Sequence, residues 1–459
     1  MAARVWQSEL SNGRSYLRFG SLPHSLYDMS ASASNLSPIT AAAPRSFASL
    51  TFEEKLDRLA EVAVRVGLNL RAGQELVLTA PTEALPLVRR ITQHAYRAGA
   101  LLVTTFYSDD PCVLARYENA LDASFDYAPV WLHDAIAAAF KSGAARMAIA
   151  GSNPALLAGQ DPAKVARANI AASKAAKPAM ELITRHEINW TIVAAATPEW
   201  AKLVFPNEPV EQAVAKLWEA VFTASRITGD DPVADWLAHG ARLKERVDTL
   251  NARRFAALHF KSPDGETDLR VGLADQHMWA GGGTTAGNGV YCQPNIPTEE
   301  CFTTPHKERV DGVVRATKPL SHQGTLIENI RCRFEGGRIV EATATAGEDA
   351  LNRLISTDDG ARRLGEVALV PASSPIAAAG ILFWSTLFDE NAASHIALGQ
   401  AYSTCLIGGE KMNEEELAKL GANSSLIHVD WMIGSAEMDV DGIAASGAAE
   451  PLMRAGEWV

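Results

Sequence analysis

Short apolar runs alternate with helix-spaced segments over roughly the first 200 residues, and this alternation restricts the fold more than any other feature of the chain. Thr51 and Glu54 make a capping-box pair at the head of a helix. Leu56, Leu59, Val62, Ala63 and Val66 then recur at helical spacing, with Gly67 expected to stop the helix. ELVLTA at 75–80 reads as a buried strand, 84–98 as a helix closed by Gly99, and ALLVTTFY at 100–107 as the next strand. RMAIAGS at 146–152, a helix over 163–181 and WTIVAAA at 190–196 continue the series. Strands separated by helices predict a mostly parallel sheet with helical cover.

Residues 209–253 read as helical, and the texture changes after them. Glycine-rich loops and short strands follow, among them RFAALHF, TDLRVGL, RIVEATATAG, EVALVP and SLIHVDWMIG. The expected fold class is therefore α/β in two domains: a parallel-sheet α/β domain over 49–250 and a mixed-sheet domain over 251–459 that carries the chemistry. Residues 1–48 stand apart. They are rich in Ser and Ala, with Arg4, Arg14, Arg18 and Arg45 against only Glu9 and Asp28. That is transit-peptide composition, and it reads more readily as a disordered extension or as a start placed too early.

The chain carries 42 basic against 54 acidic side chains, a net charge of −12 with histidine neutral. This balance argues against a nucleic-acid partner, because phosphate binding needs clustered Lys and Arg. No apolar run reaches the roughly 18 residues that suggest a membrane span. The five cysteines form no CxxC pair, which argues against a disulfide framework or a thiolate zinc site and favours a reducing, cytoplasmic setting. Other familiar motifs fail as well. HEINW at 186–190 lacks the second histidine of a zinc-protease helix, and GGGTTAGNG at 281–289 lacks the Lys-Ser/Thr ending of a phosphate loop and reads as a flexible loop. No GxSxG is present.

The strongest local signal is SLIHVDWMIGS at 425–435. Alternate residues of a strand share a face. Ile427, Val429, Trp431 and Ile433 make one apolar face, and Leu426, His428, Asp430 and Met432 make the other. An imidazole and a carboxylate thus sit side by side on a core-like strand. A buried carboxylate needs a cation or hydrogen bonds to compensate it. A divalent metal would serve both groups; a plain His–Asp pair is the equal alternative. Glu366 opens a second core-like strand, GEVALVP at 365–371. Glu390 and His395 lie five residues apart in FDENAASHIALG, and Glu299 and Glu300 lie between Pro297 and Pro305, ahead of His306 and Lys307. Together they offer oxygen and imidazole donors without thiolates, a mix suited to two divalent ions such as Zn, Co, Mn or Mg.

PTEECFTTPHKERVDGVVRATKPL at 297–320, GEVALVP, DENAASHIALGQAY at 389–402 and IHVDWMIGS at 427–435 resemble, in order, the signature segments of the thermophilic aminopeptidase T family of two-metal exopeptidases. The resemblance runs from about residue 50 to the end. It implies metal ligands at Glu300, Glu366, His395, His428 and Asp430, with Glu299 as the adjacent alternative to Glu300. The intervals of 66 and 29 residues between the first three fit the family. The 33 residues from His395 to His428 are slightly more, which points to an inserted surface loop near GGEKMNEEELAKLGANSS.

Tyr402 matches the family's active-site tyrosine, and Glu390 an acid close to the metals. The implied reaction is release of the N-terminal residue of short peptides by a hydroxide bridging two metals, with Glu366 or Asp430 bridging the ions. In it Tyr402 is a donor to the oxyanion, and Glu390 either a proton shuttle or a support for His395. The resemblance also implies a homodimer. A two-metal amidase and a non-catalytic metal-binding protein are the alternatives.

Overall fold

The computed structural model describes residues 46–322 and 325–459. The expectation for 1–48 therefore falls almost wholly outside the described residues. The first helix, Phe52–Val62, begins as expected, with the Thr51 side chain accepting from Glu54 N–H and the Glu54 carboxylate from Thr51 N–H. It does not stop at Gly67. A π-turn carries the helix on through Leu68, and the chain reverses at Asn69, which adopts φ +49°. Gly67 serves close approach instead: a Cβ there would lie 2.8 Å from the Thr191 hydroxyl on a neighbouring strand.

The four early strands form one parallel sheet in the order Leu102–Ser108, Glu75–Pro81, Ala145–Ala150, Trp190–Ala194. Helices Leu85–Arg97, Asp110–Asn119, Val130–Lys141 and Pro162–Thr184 connect them. The helical stretch before 253 is two helices, Val210–Ala224 and Pro232–Arg253. In the later part the mixed-sheet expectation resolves into two large antiparallel sheets, with two further two-stranded antiparallel pairs. One large sheet has eight strands. The other has four, in the order His428–Met432, His395–Gly399, Leu364–Leu369, Cys301–Thr303.

Two large apolar cores divide the described chain. The first joins the parallel sheet to its helices and ends along the chain at Trp236, but it also takes in Ile296, Ile376, Phe383, Leu387, Phe388 and Ala392. Phe383 and Phe388 stack with ring centroids 4.5 Å apart, and the Trp200 indole donates to the Phe383 carbonyl. The second core begins at Leu243 and lies against the four-stranded sheet through Val367, Leu369, Ile396, Leu398, Trp431 and Ile433. Each such side chain, fully buried, contributes about 1.5–3 kcal/mol. One face of the four-stranded sheet is thus fixed by apolar packing, and alternation turns the intervening residues to the opposite face.

Candidate metal centre

The register of the four-stranded sheet assembles the polar residues. Glu366 pairs with Ala397, and Ala397 pairs with Asp430 on the next strand. Directly paired residues in an antiparallel ladder share a face. The two carboxylates therefore flank a methyl group, on strands roughly 4.8 Å apart. His395 is two residues before Ala397, and His428 two before Asp430, so both imidazoles join the same face. Glu300 enters from the residue just before the edge strand Cys301–Thr303.

Two triplets result, each with ligand atoms within 4.8 Å of one another: Glu300, Glu366 and His395, and Glu366, His428 and Asp430. Glu366 belongs to both. Its Oε1 lies 3.6 Å from His395 Nε2, and its Oε2 lies 3.5 Å from His428 Nε2. Glu300 Oε2 is 3.2 Å from His395 Nε2, and Asp430 Oδ1 is 3.5 Å from His428 Nε2. His395 Nδ1–H donates to the Ala393 carbonyl at 3.1 Å, and His428 Nδ1–H to the Gln400 carbonyl at 2.7 Å. Both rings thereby turn Nε2 into the cluster, the orientation in which a histidine binds metal. His395 Nε2 and Asp430 Oδ1 are buried without a hydrogen-bond partner. Buried polar atoms are rarely left so, and a cation held by each triplet would satisfy them.

The remaining predicted residues border this cluster. The Tyr402 ring lies 4.6 Å from the His428 ring at 45°, and Tyr402 exposes 44% of its surface. Glu390 begins a single turn anchored by Phe388 in the first core. Burial raises the Glu390 pKa well above its ordinary value, with the charges of Glu300 and Asp430 adding to the rise. Burial also raises Glu300, against the attraction of His395. Burial acts the same way on Glu366, but His395 and His428 outweigh it and hold that carboxyl near 2. His428 rises to about 11, because Asp430 and Glu366 overcome the cost of burying its charge. Burial, then the charges of Glu366 and Asp430, push the Tyr402 phenol up, so it stays protonated.

Five of the residues singled out in the sequence thus meet in the two triplets, with Tyr402 and Glu390 beside them. The profile of the family described as thermophilic metalloprotease (M29) matches residues 52–458. The chain belongs to this metalloprotease family. It is 55% identical to aminopeptidase T of Thermus thermophilus over 408 residues, covering 89% of this chain and 99% of that protein. It is 45% identical to aminopeptidase AmpS of Bacillus subtilis and 39% to aminopeptidase PepS of Streptococcus thermophilus, each again over 89% of this chain and covering 99% and 98% of those proteins. The solved structure of wild-type AmpT from Thermus thermophilus superposes with a TM-score of 0.84, covering 89% of this chain and all of that one.

Within this M29 chain Glu299 and Glu300 face different partners. Neighbours on an extended segment point to opposite sides. Glu300 faces His395, whereas Glu299 turns away to a two-pronged ion pair with Arg226, at 2.9 and 2.6 Å. The inserted loop expected after His395 holds a short exposed helix, Glu414–Lys419, with its own capping box from Asn413 and Glu416. GGGTTAGNG is not an open loop: Thr284–Thr285 pairs with Tyr291–Cys292, and Gly283 leaves room for the Tyr291 ring. His186 stacks on Trp190 and joins neither ligand triplet. Sequence reasoning missed Ala397, Arg226, His239 and Asn391. Only Ala397 had a usable signal, since small residues opposite two acids leave room above a sheet.

Proposed function

We propose that the chain is an aminopeptidase that holds two divalent ions and releases N-terminal residues from short peptides with a free amine. The single observation that carries this reading is Glu366, whose two carboxylate oxygens each face a different imidazole and so complete two ligand sets. The donors are carboxylate and imidazole without thiolate, which suits Zn, Co, Mn or Mg. Charge supports two ions over one. With neutral imidazoles, Glu300, Glu366 and Asp430 bring three negative charges, so one divalent ion leaves the pocket at −1 and two leave it at +1. A positive pocket suits an oxyanion. Bound there, such ions lower the pKa of water toward neutrality and polarise a carbonyl.

The protein's own groups do the rest. Glu366 would be the carboxylate common to both ligand sets, and Asp430 would serve only one. The protonated Tyr402 phenol donates to the oxyanion that develops at the scissile carbonyl. Glu390, raised by its surroundings, carries the proton to the leaving amine. With this reading go a homodimer and a cytoplasmic location. The five cysteines are free, and among the described residues no helix is long and apolar enough to cross a membrane. In this reading the boundary between the two parts falls near residue 250, at the end of the helix Pro232–Arg253, along which the first core gives way to the second.

The test compares leucine p-nitroanilide with its N-acetyl form, before and after exhaustive chelation. Cleavage of only the free-amine substrate, lost on chelation and restored by added metal, is the expected result. Equal cleavage of the acetylated form would replace this reading with an amidase.

A further inference from the structure

The segment that delivers Glu300 is held on three sides by residues with no part in the chemistry above. Glu299 is 3% exposed, and both its carboxylate oxygens are engaged by the Arg226 guanidinium at 2.9 and 2.6 Å. Its N–H donates to the Asn391 side-chain oxygen at 2.7 Å. The carbonyl just before it, on Thr298, accepts from His239 Nε2 at 2.8 Å. Arg226 lies just beyond the helix Val210–Ala224 and adopts φ +51°, so its side chain comes from a defined turn.

Asn391 is fully buried and faces in two directions. Its amide NH2 reaches the Leu387 carbonyl at 3.2 Å and Glu390 Oε1 at 3.4 Å. The opposite amide orientation would set its oxygen against a carbonyl and a carboxylate, so the chemistry of its neighbours fixes which end donates. One side chain therefore ties the ligand segment to Glu390, and Arg226 holds Glu299 on that segment.

We propose that Glu299, gripped by Arg226 and Asn391, is a positioning residue that sets where the Glu300 carboxylate points and so tunes the ion held by Glu300 and His395. It touches no substrate and acts only through its neighbour. The observation behind it is independent of the ligand cluster: a buried, fully engaged carboxylate lies back to back with a ligand, on the same short segment. The inference rests on the two-ion reading, and the experiment separates the two.

The full-length chain is demetallated and titrated with Zn2+ against a competing chelator, as wild type, Glu299→Gln and Arg226→Lys. Glutamine keeps the volume and one acceptor, and Arg226, one quarter exposed, can turn to water. Lysine keeps the charge and loses the planar fork. One of the two equivalents should bind about 10–100-fold more weakly in Glu299→Gln, by the usual effect of losing a group that orients a metal ligand. The other equivalent should be unchanged, and Arg226→Lys should show a smaller loss of the same kind. Leucine p-nitroanilide turnover should recover as Zn2+ is raised, with KM unaltered.

Selective weakening in either variant carries the proposal. Wild-type affinities in both variants, or equal weakening of both equivalents, overturn it. A wild type that binds fewer than two equivalents would instead count against the two-ion reading.

Discussion

If Glu366 is shared between two ions, its removal should abolish both, whereas removing His428 should abolish one. The size of the effect can be worked out. A ligand at 100 times its Kd stabilises the folded state by about 2.7 kcal/mol. Two triplets give about 5.4 kcal/mol. About 410 residues at about 2.1 cal/mol/K each give an unfolding entropy of about 0.86 kcal/mol/K, so Zn2+ should raise the wild-type melting temperature by about 6 °C. His428→Ala leaves Glu300, Glu366 and His395 intact and should keep about half of that shift, about 3 °C. Glu366→Ala removes an oxygen from each set and should show almost no shift.

The assay is scanning calorimetry of demetallated protein with and without Zn2+ at one fixed free concentration, paired with metal analysis of the dialysed samples. The reasoning fails if Glu366→Ala keeps one tightly bound ion and half the shift. It also fails if His428→Ala loses both ions, because the triplets would then not be separable units.

Two further outcomes follow from the same geometry. Ala397→Val places two extra methyls between Glu366 and Asp430 and should cost about 1–3 kcal/mol in stability by overpacking while sharply weakening metal binding, read by calorimetry and chelator competition. Tyr402→Phe should lower turnover of leucine p-nitroanilide by about 10²–10³-fold, the scale of losing one oxyanion donor, with metal content unchanged.

The order in which these groups became legible follows from physics. The strand His428–Met432 displays its ligands openly, because one apolar face against the second core forces the alternate residues to the other side. The parallel sheet was legible for a different reason, since its strands are short apolar runs between helices. The helices Asp110–Asn119 and Val130–Lys141 were not. The first buries only Tyr117 and the second only Ala137 and Phe140, so neither prints a strong periodic stripe on the sequence. Tyr402 and Glu390 sit outside strands, where no alternation assigns a side chain to a face; family resemblance alone singled them out for catalysis.

Glu299 and Glu300 mark where local reading ends. They are the same residue type, adjacent, and both buried. Their different fates are decided by partners far along the chain: Arg226, 73 residues earlier, for one, and His395 on another strand for the other. A carboxylate enters a low-dielectric interior only with a compensating charge. Two neighbouring acids pointing to opposite sides of one segment therefore need two separate compensators. The fold supplies an arginine on one side and imidazoles, with room for divalent cations, on the other. The first apolar core then has a second role: it anchors Phe383 and Phe388, and through the turn that follows them it brings Glu390 and Asn391 to the ligand cluster. On the proposed two-ion reading, the catalytic face is built on the antiparallel sheet but aligned from the α/β part, so changes in the Arg226 turn should be felt at the ions before they are felt in the fold.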